Sequence, residues 1–153
     1  MFRGFGSFRR LNFIQEVVMP LIQWSDALSV NVKEIDLQHQ KLVGMINDLN
    51  DAMREGKGKE VLGKTINELV SYAAAHFRLE EKYFDQYSYP ETAAHKMEHT
   101  AFVQKVTEFK SGFDKGTLGL SMQVMGFLSD WLQKHIKGND KKYSAFFNSK
   151  GLK

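Results

Sequence analysis

The histidines of this chain are spaced in a way that is typical of metal ligands. His76 precedes Glu80 by four residues and His95 precedes His99 by four, so each pair points from one face of a helix. The candidate ligands use every histidine of the chain, together with two carboxylates: His39, His76, Glu80, His95, His99, His135 and Asp140. Seven nitrogen and oxygen ligands are too many for one metal ion and suit two.

Each candidate also has a structural interpretation when it is taken alone. A single core histidine such as His39 is more often hydrogen-bonded than metal-bound. His76 and Glu80 could form an ordinary hydrogen bond one helical turn apart, and a pair such as His95 and His99 also occurs on solvated faces. The metal interpretation therefore depends on a fold that brings all seven side chains together.

Composition narrows the chemistry of the site. The 153 residues are enough for one domain with a substantial core, and they contain no cysteine. Iron–sulfur clusters, thiolate zinc sites and cysteine nucleophiles are thereby excluded. Imidazole and carboxylate ligands without sulfur suit iron, manganese, zinc or copper.

Charge and hydropathy limit the partners. The net charge of +3 comes without a dominant basic cluster, so we predict no nucleic-acid binding. No segment approaches the ~20 apolar residues that a membrane span requires. We expect a cytoplasmic protein without a membrane span.

The N-terminal segment is predicted to lie apart from the rest. Arg9 and Arg10 precede an apolar stretch, but Gln15, Glu16 and Pro20 interrupt that stretch, and no clean cleavage site follows. We predict a disordered extension at residues 1–18 and a helical-bundle domain at residues 19–153. Met19 is a plausible alternative start of translation.

Hydrophobic periodicity predicts four long helices. In the second segment Leu62, Ile66, Leu69 and Ala73 alternate by four and three residues, which is the pattern of a buried helical seam. The predicted helices cover residues 36–55, 59–87, 90–115 and 118–137, with a short helical tail at residues 140–147. Pro90 suits a first helical turn, and Gly56, Gly116 and Gly138 suit helix ends. Asp140 would then turn back toward the site beyond the end of the fourth helix.

Short connections favour antiparallel neighbours, so the predicted fold is all-α: an up-down-up-down antiparallel four-helix bundle with an irregular N-terminal arm. His39 lies near the start of the first helix, and His76 lies late in the second. His95 is early in the third helix, and His135 is near the end of the fourth. In an antiparallel bundle these positions share one level, so the topology gathers all five histidines at one end.

The combined pattern resembles the hemerythrin family in its single-domain bacterial form. The resemblance rests on residues 35–39, His76-x3-Glu80, His95-x3-His99 and His135-x4-Asp140. It covers about residues 20–147. It implies reversible dioxygen binding at a non-haem di-iron centre with an oxo or hydroxo bridge. By this resemblance His95, His99 and His135 would hold the coordinatively full iron. His39 and His76 would hold the iron with an open position, and Glu80 and Asp140 would bridge the two.

The resemblance also implies an apolar oxygen pocket. The residues in the matching positions are Leu42, Phe77, Trp131, Leu132 and Ile136. A histidine-rich shell with only two carboxylates should favour reversible binding over oxygen activation. We therefore expect a non-enzymatic protein with dioxygen as its ligand, which transports or stores dioxygen or delivers it to an oxygen-consuming enzyme.

Three other functions remain open at this stage. A di-iron oxidase, peroxidase or nitric-oxide-handling enzyme would consume reductant. An oxygen-sensing module would present an oxygen-dependent surface to a partner. A structural bundle with adventitious zinc would have no visible chromophore.

Overall fold

The computed structural model describes residues 20–153, and the regular elements within that range are all helical. They are α1 (Lys33–Arg54), α2 (Gly58–Tyr87), α3 (Thr92–Asp114), α4 (Leu120–Trp131), a π-helical segment (Leu132–Asp140) and α5 (Lys141–Ser149). The predicted extension at residues 1–18 lies outside the described residues. The prediction of an all-α bundle is confirmed.

The helices form a four-membered bundle with short connections. α1 packs against α2, α2 packs against α3, and α4 closes the ring by contacting α1 and α3. The predicted seam is buried, since Leu62, Ile66, Leu69 and Ala73 are each at most 3% exposed. None of the helices between residues 20 and 153 has the length and apolar character that crossing a bilayer requires.

Two of the three predicted glycine stops act as helix ends. Gly56 and Gly116 have φ values of +75° and +72°, which L side chains rarely adopt, and they follow the ends of α1 and α3. The start of α3 differs slightly from the prediction. α3 begins at Thr92, whose hydroxyl donates to the carbonyl of Tyr89 at 2.6 Å, so Pro90 lies in the preceding turn.

The predicted end of the fourth helix at Gly138 is wrong. Gly138 lies inside the π-helical segment, without a positive φ, and the helix continues into α5. In a π-helix the backbone hydrogen bond joins residues i and i+5, so residues five apart lie on the same face. His135 and Asp140 therefore reach the site from one continuous helix, and no turn back is needed.

The N-terminal arm, residues 20–32, is irregular as predicted, and its last residues pack at the histidine end of the bundle. The Val30 amide donates to Asp36 Oδ1 at 2.8 Å, and the Ser144 hydroxyl donates to the Val30 carbonyl at 2.6 Å. A second hydrophobic cluster packs where the arm, α2 and α5 meet, and it consists of Val30, Val32, Ile35, Phe84, Tyr89, Tyr143 and Phe147. The histidines thus lie between this cluster and the main core.

Candidate metal centre

All seven predicted ligands lie in the interior at one end of the bundle. They are between 0% and 4% exposed: His39, His76, Glu80, His95, His99, His135 and Asp140. α1 contributes one of them, and α2, α3 and the π-helical segment contribute two each. The structure therefore brings together every residue that the spacing singled out.

The Glu80 carboxylate stands between two groups of histidines. Its Oε1 faces the Nε2 atoms of His39, at 3.7 Å, and of His76, in direct contact. Its Oε2 faces the Nε2 atoms of His95, at 3.2 Å, and of His99, at 3.6 Å. One carboxylate thus directs each of its oxygens to a different histidine group.

Asp140 divides the histidines in the same way. Its Oδ2 lies 3.2 Å from His39 Nε2, whereas its Oδ1 lies 2.8 Å from His95 Nε2 and 3.0 Å from His135 Nε2. We refer to His39 and His76 as the two-histidine set, and to His95, His99 and His135 as the three-histidine set. Both carboxylates have the geometry of a bridge between these sets.

The inward-facing atoms fit a pair of metal ions. Among the described residues, both oxygens of Glu80 and of Asp140 lack hydrogen-bond partners, as does Nε2 of each histidine in the three-histidine set. Leaving such an atom buried and unsatisfied costs about 1–3 kcal/mol. At each of two positions, four possible ligand groups have their ligand atoms within 4.8 Å of one another: Glu80 with the three-histidine set, and Glu80 and Asp140 with the two-histidine set. Because Asp140 Oδ1 also faces His95 and His135, Asp140 adds a fifth group to the first position. Metal ions at these positions would satisfy the unpaired atoms.

The electrostatics of the cluster favour positive charge. Burial lowers the pKa of His39 and of His95, but Asp140 and Glu80 outweigh burial and raise the two pKa values to about 9 and about 10. Burial would raise the pKa of Glu80 and of Asp140, yet the surrounding histidines hold both below their usual range. The pKa of His76 is lowered, chiefly by burial. Bound metal ions would take over the positive charge that protons supply in the metal-free cluster.

Two histidines have outer hydrogen-bond partners that the sequence analysis missed. Nδ1 of His76 lies 2.6 Å from Gln38 Oε1, and Nδ1 of His135 lies 2.7 Å from Glu98 Oε2. With each Nε2 directed at the metal positions, each Nδ1 carries the proton and donates. Gln38 and Glu98 each precede a predicted ligand in the sequence. That adjacency was the available signal, but their partners lie on other helices.

The five predicted pocket residues belong to the main hydrophobic cluster or pack against it, and we refer to them as the apolar wall. Leu42, Leu132, Ile136 and Phe77 are buried, and the half-buried Trp131 packs against them. The Phe77 ring stacks on His99, and the Trp131 ring stacks on His135, each with ring centroids 3.8 Å apart. The Phe77 and Trp131 rings are themselves 6.0 Å apart, so aromatic carbon covers one flank of the three-histidine set.

Comparison with known proteins identifies the family. Residues 30–147 match a family model described as the hemerythrin HHE cation-binding domain. The chain belongs to the hemerythrin family. The matched range contains all seven candidate ligands, and the resemblance inferred from the sequence is confirmed.

Individual hemerythrins extend the agreement. A bacteriohemerythrin of Stenotrophomonas maltophilia is 35% identical over 126 residues, which are 82% of this chain and 81% of the relative. The bacteriohemerythrin of Methylococcus capsulatus is 33% identical, with 82% of this chain and 95% of the relative covered. A crystal structure of wild-type hemerythrin superposes with a TM-score of 0.73 at 32% identity, over 82% of this chain and 96% of the other.

Proposed function

We propose that this chain binds dioxygen reversibly at a pair of non-haem iron ions, and that it transports or stores the gas or delivers it to an oxygen-consuming enzyme. The observation that supports this most strongly is the unequal division of the histidines by the two carboxylates. With both carboxylates shared, one metal position has five protein ligands and the other has four. The position with four leaves room for a small exogenous ligand.

The proposed ligand roles follow from this division. His95, His99 and His135 would hold one iron, and His39 and His76 would hold the other, with Glu80 and Asp140 shared between them. Iron bound there supplies the electrons that reversible oxygen binding requires. Five neutral imidazoles and only two carboxylates should favour reversible binding of dioxygen over its activation.

The apolar wall protects the centre. Leu132 and Phe77 are at most 4% exposed, and Trp131 covers the face of His135. These side chains exclude water and small anions that would promote loss of electrons from the metals. None of the five wall residues carries an acid–base group, which favours a carrier over an oxidase.

An optical titration of metal-analysed protein tests the proposal. We expect about two irons per chain, with visible bands that appear in air and disappear when oxygen is removed. Irreversible bleaching with consumption of reductant would support an oxidase, and bound zinc without a visible band would remove the oxygen function.

A pair of matched variants on α2 sharpens this test. Glu80→Gln should lose iron and the visible bands, because it neutralises a carboxylate that both histidine sets face. Glu68→Gln, on the same helix, alters a half-exposed carboxylate that pairs with Lys64 at 3.7 Å, and it should retain both. Iron retained in full by Glu80→Gln would contradict the proposed ligand set.

A further inference from the structure

The hydrogen-bond acceptors at the Nδ1 atoms, which face away from the candidate metal positions, differ in charge between the two histidine sets. In the three-histidine set, His135 Nδ1 donates to the carboxylate of Glu98 at 2.7 Å. In the two-histidine set, His76 Nδ1 donates to the amide oxygen of Gln38 at 2.6 Å. A carboxylate acceptor makes an imidazole a stronger electron donor to its metal than a neutral amide does.

The position of Glu98 is fixed from a second side. Its Oε1 accepts a hydrogen bond from Asn139 Nδ2 at 2.6 Å, and Asn139 directly precedes Asp140 in the π-helical segment. The Glu98 side chain is 41% exposed, and it lines a groove of about 230 Å³ between α3 and the end of the fourth helix. Glu98 thus places a carboxylate at the boundary between solvent and a buried ligand histidine.

The other histidines do not cancel this difference in the charge of the Nδ1 acceptors between the two sets. Glu81 Oε2 lies 3.7 Å from His99 Nδ1, too far for a hydrogen bond, but it adds a second carboxylate near the three-histidine set. Among the described residues, His39 Nδ1 has no hydrogen-bond partner. The outer carboxylates near ligand Nδ1 atoms therefore belong to one set.

We propose that Glu98 is a positioning residue that makes the metal of the three-histidine set the more readily oxidised of the two, while Gln38 leaves the metal of the two-histidine set more resistant to oxidation. The inference rests on the proposed function in that both metals are iron. The metal with room for dioxygen is then the one that keeps its electron longer. A one-electron oxidant such as ferricyanide would then take its first electron from the other metal.

Stepwise oxidation of the iron-loaded protein under anaerobic conditions tests the inference. Each iron gives one electron to added ferricyanide, so the two steps are measured separately by optical and electron paramagnetic resonance signals. Glu98→Gln keeps an acceptor for His135 and removes the charge. We expect the first oxidation equilibrium to shift about ten-fold toward the reduced form, which corresponds to about 59 mV for one electron.

Asp130→Asn is the matched control. Asp130 lines the same groove as Glu98 and is 71% exposed, and its ion-pair partner is Lys134 at 3.9 Å rather than a histidine. Asp130→Asn should leave the equilibrium constants of both oxidation steps within about two-fold of the wild-type values. Equal shifts in Glu98→Gln and Asp130→Asn would show a general charge effect and overturn the inference, as would an unshifted Glu98→Gln.

Gln38→Glu provides the reciprocal test and decides the matter if Glu98→Gln does not fold. It places a carboxylate on His76, so the second oxidation step should become easier by a similar factor and the two steps should move closer together. An unchanged second step would contradict the inference.

The two proposals fail in different ways. Wild-type protein that loads two irons and oxidises in two steps, but does not release dioxygen, contradicts the proposed function alone. Reversible oxygen binding with unshifted oxidation steps in both variants contradicts only the role of Glu98. A wild-type protein that binds no iron contradicts both.

Discussion

At the scale of single residues, the loss of one histidine should affect iron binding differently in the two sets, because one set has two histidines and the other has three. His76→Ala removes one of two candidate nitrogen ligands from its set, whereas His135→Ala removes one of three. We expect His76→Ala to reduce iron from about two ions to about one per chain, because the three-histidine set stays complete. Iron analysis of protein with an unchanged circular dichroism spectrum measures this.

His135→Ala is the companion variant, because it leaves the two-histidine set intact. Complete loss of iron from His76→Ala would mean that the pair assembles only as a unit, held by the shared carboxylates. Full retention of two irons would exclude His76 from the ligand set.

Leu132 allows a second prediction at this scale. It is 1% exposed and lies in the apolar wall three residues before His135. Leu132→Asn should bring water toward the centre and speed the loss of the oxygenated form in air by about ten-fold or more. The decay of the visible bands measures the rate.

Leu128→Asn serves as its control, because Leu128 is equally buried in the same core one helical turn earlier. Both variants should be destabilised to a similar degree by a buried amide. Equal rates of decay in the two variants would mean that the wall at Leu132 does not protect the site.

At the scale of helices, the π-helical segment gives a prediction with a definite sign. Apart from the adjoining backbone of its own helix, a Cβ atom added at Gly138 would meet nothing closer than the Gln133 carbonyl oxygen, at 4.0 Å, and the backbone there is helical. Gly138→Ala should therefore stabilise the protein by about 0.4–1 kcal/mol, because it restricts the unfolded chain. Thermal unfolding measures this. If Gly138 were a helix stop with positive φ, the same substitution would destabilise the protein. Gly116→Ala, at φ +72°, provides that comparison.

The long α-helices were predictable because their periodicity is local. The alternation of Leu62, Ile66 and Leu69 shows the buried face directly, and the positions of the histidines along the helices then place the site at one end. The gathering of the five histidines followed from this reasoning without any knowledge of tertiary contacts, whereas the way in which Asp140 reaches them did not.

The π-helical segment was not predictable from local pattern. Gly138 and Asn139 disfavour a continuous helix, and only tertiary contacts overcome that preference. Tyr143 and Phe147 of α5 are fully buried in the second hydrophobic cluster, which extends the helix past the glycine. The contact of Glu98 with His135 was likewise hidden, because it joins residues 37 positions apart on different helices.

At the scale of the whole molecule, the charged centre couples stability to pH. The pKa values of His39 and His95 are raised to about 9 and about 10 in the metal-free protein. Their protonated forms stabilise the fold fully below the ordinary histidine pKa of ~6.5, and this contribution is lost as pH rises through the raised values. The melting temperature of the metal-free protein should therefore fall between about pH 6.5 and pH 10.

His95→Gln should flatten this dependence, since one of the two titrating groups is removed. Metal-loaded protein should also show a flatter profile, because the ligands are already neutral imidazoles. A melting temperature of the metal-free protein that is unchanged or higher at pH 9.5 would contradict the raised pKa values.

The contact between His39 and Asp140, at 3.2 Å, joins the first helix of the bundle to the end of its fourth. During synthesis a nascent chain that ends before residue 135 has five of the seven candidate ligands and an apolar seam that the fourth helix does not yet cover. Glu80 is already present at that stage, but Asp140, the second carboxylate that lies between the two histidine sets, is not. If the centre binds two iron ions as proposed, complete loading would therefore have to follow translation of the bundle. Without iron, protonated histidines would supply the positive charge at the centre of the finished chain.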